Sequence, residues 1–481
     1  MKTAAIIGGG VIGGGWAARF LLNGWDVRVF DPDPEAERKI GEVLANARHA
    51  LPSLRDGPMP AEGKLTFHED LAEAVRDVDW VQESVPERLN LKLNVYADIQ
   101  AANDSVMIGS STSGYKPSEL AVGARSPDRI VVTHPFNPVY LLPLVELVPA
   151  PAVTGEGIAE AQAVIQEIGM YPLVVRKEID AHIADRFLEA VWREALWLIK
   201  DGIATTEEID NAIRYGFGIR WAQMGLFETY RVAGGEAGMK HFIGQFGPAL
   251  KWPWTKLMDV PELTDDLVDT IASQSDEQSG MYTIRELERI RDENLVGMMR
   301  ALKANNWGAG ALLNNADAPV PSKLDGSDWV LVADRTVPLD WLDYNGHMND
   351  AAYLKAFSEG SDCLLQLVGA DAAYVAGGHS FFTLESHLKY LEEMKGGEAF
   401  KIFAYIVQGA GKKLHVYYEM RKADGTVAAV NEQMILHVSL ETRATCPMLP
   451  EVAARLGQLA EGHAELPKPE GLGSAIRQPT T

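Results

Sequence analysis

The stretch Thr3-Ala-Ala-Ile-Ile-Gly-Gly-Gly-Val-Ile-Gly13 decides how the first half of this 481-residue chain folds. Five residues of strand-like texture run into Gly8-Gly9-Gly10-Val11-Ile12-Gly13, a G-x-G-x-x-G turn. Helix-spaced residues follow from Gly14 to Asn23, and a second strand pattern occupies Asp26–Phe30. Among 44 glycines a bare motif match means little. Between a strand and a helix it is specific, because each glycine has a task. Gly8 allows the tight turn, Gly10 lets backbone approach a pyrophosphate, and Gly13 lets helix and strand pack closely. The free N–H groups of the helix start, including Gly9, Val11 and Ile12, then face the phosphates. Asp31 stands eighteen residues beyond Gly13, at the end of the second strand. A carboxylate there accepts ribose hydroxyls and repels a 2′-phosphate, which predicts NAD rather than NADP.

Working outward, strand-like runs recur at Trp80–Gln82, Ser105–Gly109, Arg129–Thr133 and Leu173–Val175. They alternate with helical stretches, the pattern of an α/β Rossmann domain with a mostly parallel sheet. From Ile179 the strand texture stops. Ile183, Phe187, Val191, Ala195 and Leu198 follow helical spacing, so residues 179–316 read as an all-helical second domain. Residues 317–327 are rich in Pro, Gly, Ser and Asp and read as a linker. Beyond it one helix, Asn349–Val368, precedes strands at Ser380–Tyr390, Ala399–Gln408, Lys413–Arg421 and Thr426–Ser439. Lys422-Ala-Asp-Gly425 is a hairpin signal between the last two. The expected domains are therefore 1–178, 179–316 and 328–461, with a disordered tail over 462–481.

Bulk properties exclude several classes of function. A net charge of −23 opposes binding to nucleic acid or an anionic membrane. Two distant cysteines, Cys363 and Cys446, without CxxC spacing argue against a disulfide framework or a metal site. No run reaches the roughly 20 apolar residues of a membrane helix. A cytoplasmic enzyme of small molecules is the expectation.

Histidine titrates in the range that alcohol oxidation needs from a base, and His134 ends the apolar run Ile130–Thr133. Glu146 can hold its other ring nitrogen, and Ser113 can hydrogen-bond a substrate oxygen. The set Ser113, His134-Pro-Phe-Asn137-Pro138 and Glu146, spaced 21 and 12 residues apart, resembles the catalytic set of 3-hydroxyacyl-CoA dehydrogenases. The likeness covers about residues 1–310. It implies that Glu83-Ser-Val-Pro-Glu87 is the nicotinamide-side loop, with Glu83 at the cofactor. One position departs: where that family has Asn before Arg, this chain reads His182-Ile-Ala-Asp185-Arg186, placing a negative charge near the reacting carbon.

The helical domain is unusually aromatic, with Trp192, Trp197, Tyr215, Phe217, Trp221, Phe227, Tyr230, Trp252 and Trp254. Most of these rings pack a core, but two or three can face a quaternary ammonium group. Gly218–Tyr230 and Gly234–Gly238 resemble L-carnitine dehydrogenases, a branch of the same family. The resemblance implies a zwitterionic 3-hydroxy acid as substrate, with Asp185, Arg193, Trp221 and Tyr230 as contacts. Its carboxylate needs a cation, for which Arg193, Arg220 and Arg231 are candidates. A 3-hydroxyacyl-CoA or gulonate-type substrate stays open.

In the last domain, Trp341-Leu-Asp343-Tyr-Asn345-Gly-His347-Met-Asn349 resembles the active-site segment of hot-dog-fold thioesterases. By that resemblance Asp343 is the base or nucleophile, Asn345 and His347 orient water or substrate, and the helix start polarises the carbonyl. Fused to carnitine oxidation, such a domain implies hydrolysis of betainyl-CoA. A broad acyl-CoA thioesterase and a non-catalytic binding module are the alternatives. Both fold types imply a homodimer.

Overall fold

The computed structural model describes residues 2–233, 242–245, 255, 262, 264–317 and 320–473. It divides into two compact units. One comprises Met1–Ala47 with Pro60–Asn315, the other Arg48–Met59 with Ala316–Thr481.

In the first unit, β1 (Thr3–Ile7) lies between β2 (Asp26–Phe30) and β4 (Trp80–Glu83); β1 beyond Thr3 and all of β4 are buried on both faces, whereas β2 alternates buried valines with half-buried residues. β3 (Leu65–His68), β5 (Ile108–Ser110), β6 (Ile130–Pro135), β7 (Leu144–Pro149) and β8 (Tyr171–Val174) complete an eight-stranded sheet. Its order is β3-β2-β1-β4-β5-β6-β7-β8. The first six strands pair in parallel, and the order reverses between β1 and β4, which opens a crevice at their carboxyl ends. β7 runs antiparallel to β6. Neither β3 nor β7 is anticipated from the sequence pattern; β3 is short and half-buried, and the proline-broken entry to β7 hides its alternation.

Helix α1 (Val11–Leu22) follows the glycine turn. A Cβ on Gly13 would fall 1.8 Å from the Gly8 carbonyl oxygen, so only glycine permits this closeness. Gly8 itself adopts φ +99° against the Ser84 backbone. Helices then run over Ala184–Lys200, Thr206–Ala212, Gly218–Ala233, Asp265–Ser279, Ile284–Ala304 and Ala309–Ala316. Capping boxes at Thr205/Glu208 and Thr283/Glu286 start two of them. Trp252, Trp254 and Gly234–Gly238 lie outside the described residues.

The second unit is a five-stranded antiparallel sheet, β9 (Val330–Thr336), β10 (His379–Tyr390), β11 (Ala399–Ala410), β12 (Lys413–Lys422) and β13 (Val427–Ser439), in the order β10-β13-β12-β11-β9. The helix Asp350–Leu367 packs on it through Phe357 and Leu364, and Gly360 admits Val332 closely. The turn between β12 and β13 closes with Gly425 at φ +88°, as its sequence requires. A further helix, Pro450–Ala464, was not expected, and it carries the chain in order past the predicted tail boundary at 462. Its His463 is buried: Nδ1 accepts the Ile406 N–H at 2.7 Å and Nε2–H donates to the Asp328 carbonyl at 2.9 Å. Leu466 and Leu472 then pack against Tyr405 and Tyr417, apolar contacts that keep residues up to 473 on the sheet. Residues 474–481 of the expected tail, and 318–319 of the expected linker, lie outside the described residues.

Candidate active sites

His134 and Glu146 are direct cross-strand partners in the β6–β7 ladder, so the register alone places them side by side. His134 Nδ1 lies 2.9 Å from Glu146 Oε2. A carboxylate only accepts, so Nδ1 carries the proton and Nε2 keeps its lone pair. The other carboxylate oxygen of Glu146 accepts the N–H groups of Ile183 and Ala184, at 2.8 and 2.9 Å, where the helix Ala184–Lys200 begins. Burial pushes the Glu146 carboxyl up, but these bonds from His134, Ala184 and Ile183 outweigh it and hold the group below its ordinary value.

Two groups complete the surroundings: His182, which the sequence pattern did not assign to the chemistry, and Asp185, which it placed near the reacting carbon. His182 is fully buried, its ring 5.5 Å from that of His134. Its Nε2–H donates to the Thr112 carbonyl at 3.3 Å, its Nδ1 has no partner among the described residues, and burial pushes its pKa down, which favours the neutral imidazole. Asp185 turns toward His134, with Oδ2 3.5 Å from Nε2, rather than pairing with Arg186. Ser113 is exposed on the loop after β5, next to the Thr112 carbonyl that receives His182.

The glycine turn opens onto a cavity of about 530 Å³ lined by Gly8, Gly9, Gly10, Asp31, Ser84 and Val85, among others. A Cβ on Gly10 would meet nothing within 4 Å, the open approach that a pyrophosphate needs. Asp31 lines the cavity and also steadies it, accepting the Gly9 N–H and, at 2.7 Å, the Asp33 N–H. Its spare lone pairs remain for ribose hydroxyls. Arg28 donates to the Arg76 carbonyl at 2.7 Å and is thereby committed elsewhere. These residues fit NAD. Val11 and Ile12 open α1 as expected.

Glu83 departs from expectation. It is fully buried beneath the loop, taking hydrogen bonds from Lys92 Nζ (2.8 Å), Tyr96 OH (2.5 Å), Ser110 Oγ (2.7 Å) and Val85 N–H (2.8 Å). It positions the loop instead of facing the cavity, because the β1–β4 register turns it into the sheet layer. Glu87 is the carboxylate that reaches the Ser113 loop, accepting from Thr112 Oγ1 and the Gly114 N–H and pairing with Lys92 at 3.2 Å. Lys92 was missed because a lysine on an amphipathic helix reads as solvated.

Arg193 pairs with Glu189 at 3.8 Å, Trp221 packs on Phe217 with ring centroids 4.6 Å apart, and Tyr230 stacks on Phe242 at 4.6 Å. The structure thus brings Asp185 to His134 and gives the other three expected substrate contacts partners within the helical region.

In the second unit Asp343 Oδ1 accepts the N–H groups of Asn345 (2.8 Å) and His347 (3.2 Å), forming an Asx turn with Gly346 at φ +77°. Those bonds, Asn345 first, hold its carboxyl below the ordinary aspartate value, so it stays ionised. His347 Nε2 lies 3.6 Å from Glu393. The Asn349 side chain caps the helix Asp350–Leu367 by accepting the Ala351 N–H at 3.0 Å, which removes that amide from the donors available to a carbonyl. Far from this turn in sequence, His379, His437 and Cys446 come within 4.8 Å of one another. Both His437 nitrogens are engaged, Nδ1 by the Cys446 carbonyl at 2.9 Å and Nε2 by Tyr374 OH at 2.8 Å.

Residues 3–179 match the 3-hydroxyacyl-CoA dehydrogenase NAD binding domain, 182–283 its C-terminal domain, and 337–456 the thioesterase-like superfamily. A crystal structure of 5-formyl-3-hydroxy-2-methylpyridine 4-carboxylic acid 5-dehydrogenase is 28% identical, with a TM-score of 0.55 over 63% of this chain and 99% of that one. An L-carnitine dehydrogenase/betainyl-CoA thioesterase of Ruegeria pomeroyi is 65% identical over 100% of both chains. A protein of the same description from Rhizobium meliloti is 52% identical over 99% of both. With both catalytic segments on one chain and relatives this similar from end to end, the chain belongs to the L-carnitine dehydrogenase/betainyl-CoA thioesterase family.

Proposed function

We propose that the chain is bifunctional, oxidising L-carnitine to 3-dehydrocarnitine with NAD⁺ and hydrolysing betainyl-CoA to glycine betaine and CoA. The observation that carries the oxidation is the His134–Glu146 pair, 2.9 Å apart in adjoining strands of the NAD-binding sheet. NAD⁺, when bound by Gly8–Gly13 and Asp31, supplies the hydride acceptor. His134 Nε2 takes the hydroxyl proton as the carbinol carbon gives up hydride. Glu146 keeps Nδ1 protonated and balances the imidazolium that forms. Ser113 hydrogen-bonds the substrate oxygen from the adjoining loop. Arg193 or Arg220 meets the carboxylate, and Trp221 and Tyr230 contribute aromatic surface.

The second unit, a long helix against a five-stranded antiparallel sheet, has the arrangement of a hot-dog fold. There the ionised Asp343 draws a proton from water as that water attacks the thioester carbon, with Asn345 and His347 orienting the reactants. The domains divide as read from the sequence, at about 178 and 316–328. The free edge of β10, with Phe382 and Leu384 exposed, supports pairing with a second copy, and the protein is a homodimer. Among the described residues no helix is long and apolar enough to cross a membrane, which suits a cytoplasmic enzyme.

NADH formation with L-carnitine, against 3-hydroxybutyryl-CoA and with a His134→Ala control, tests the first activity. A clear preference for the CoA ester overturns the substrate assignment. Hydrolysis of a panel of CoA esters tests the second, and betainyl-CoA as a poor substrate ends that part.

A further inference from the structure

We propose that Asp185 is the subsite for the substrate's quaternary ammonium group, and that it selects a cationic 3-hydroxy acid over neutral or anionic ones. The inference rests on the functional reading above and adds to it the residue that recognises the cation. Asp185 stands in the first turn of the helix Ala184–Lys200, whose start is pinned to Glu146 by the Ile183 and Ala184 N–H groups. Its carboxylate is thereby placed 3.5 Å from His134 Nε2, the one nitrogen of that ring free to take a proton. At that distance the contact is too long for a good hydrogen bond. A substrate hydroxyl can therefore reach Nε2 without displacing Asp185.

The charge around Asp185 is unbalanced. The groups acting on it are the imidazoles of His134 on β6 and His182 on the preceding loop, and the carboxylates of Glu146 on β7 and Glu189 one helical turn on. Among the described residues its ion-pair partner is His134, and no lysine or arginine pairs with it. Neither imidazole is a permanent cation. Burial, with the Glu146 and Glu189 charges adding to it, pushes the Asp185 carboxyl above its ordinary value, as expected of an anion short of a counter-ion.

A quaternary ammonium attached one methylene from the carbinol carbon meets that need. It cannot donate hydrogen bonds, so it asks only for negative charge and apolar surface at close range. With its hydroxyl at Nε2, such a substrate can bring this group to Asp185, whose carboxylate lies 3.5 Å from that nitrogen.

The test compares L-carnitine with its carbon isostere 3-hydroxy-5,5-dimethylhexanoate, which lacks only the ammonium charge, using the full chain with NAD⁺, in wild type and Asp185→Asn. NADH binding by fluorescence confirms that the variant is folded. The expected result is a fall of roughly 50-fold in the kcat/KM ratio of carnitine over isostere, the scale of one lost charge contact. Equal losses on both substrates overturn the assignment. Should Asp185→Asn fail to fold, competitive inhibition of the wild type by tetramethylammonium against neutral 3,3-dimethylbutanol decides, with at least tenfold better inhibition by the cation expected and equal inhibition overturning. Wild type inactive on carnitine defeats the functional reading and this proposal together. Wild type active on carnitine, with discrimination undiminished in the variant, defeats the Asp185 assignment alone.

Discussion

Glu146 accepts on both of its oxygens, from the His134 ring on one side and from the Ile183 and Ala184 amides on the other. A glutamine in its place has one accepting and one donating end, so one side must lose its bond. Glu146→Gln should therefore lower kcat for carnitine oxidation by about 10²–10³-fold and cost about 1–3 kcal/mol of stability. Steady-state kinetics and chemical unfolding measure the two effects. The pH dependence has a definite sign. Because the folded-state carboxyl is held below its ordinary value, its stabilisation is present above the usual glutamate range and is lost as pH falls from that range through the lower folded-state value. Unfolding followed from neutral pH into the acid range should show the wild type losing stability faster than Glu146→Gln. The pairing of His134 with Glu146 was legible in the sequence from the residue types together with spacings that resemble those of 3-hydroxyacyl-CoA dehydrogenases. His182 was not, since its place depends on a loop with φ +58° and +48° at Ala181 and His182, conformations that spacing does not disclose.

At the scale of elements, the strand–turn–helix unit makes two similar substitutions behave differently. Gly13→Ala drives a methyl group into the Gly8 carbonyl and should destabilise the unit by more than about 2 kcal/mol, visible in its melting temperature. Gly10→Ala points the methyl group into open space, so the melting temperature should hold while NAD⁺ affinity falls at least about tenfold, where the methyl group blocks the pyrophosphate. Calorimetric titration with NAD⁺ distinguishes them. β7 shows the limit of pattern reading. It carries Glu146 and sets the register opposite His134, yet its own run is short and flanked by prolines.

For the molecule as a whole, two units with separate cores imply separable activities. His134→Ala should lower dehydrogenase activity by at least about 10²-fold and leave betainyl-CoA hydrolysis unchanged, and Asp343→Ala should do the reverse. Assaying both reactions on each variant checks this, and parallel losses would show that the activities are coupled. A simple cut near residue 316 should yield a less stable second unit. Residues 48–59 belong to that unit, and Asp56 pairs at 2.7 Å with Arg335, which is buried. Leaving Arg335 without this partner carries a desolvation cost of about 1–3 kcal/mol, measurable by comparing melts of the fragment and the full chain.

The sequence by itself determined the NAD-binding turn and four of the five strands of the second unit, which are encoded locally in glycine conformations and twofold alternation. The His134–Glu146 pair and the Asp343 segment were legible through their resemblance to known families. Only the tertiary structure decided that Glu83 supports the loop while Glu87 reaches the Ser113 segment, that His182 lies against His134, and that Asp185 faces Nε2. Those relations join residues far apart in the chain. They arise when strand register and a helix start are brought together, so no local pattern records them.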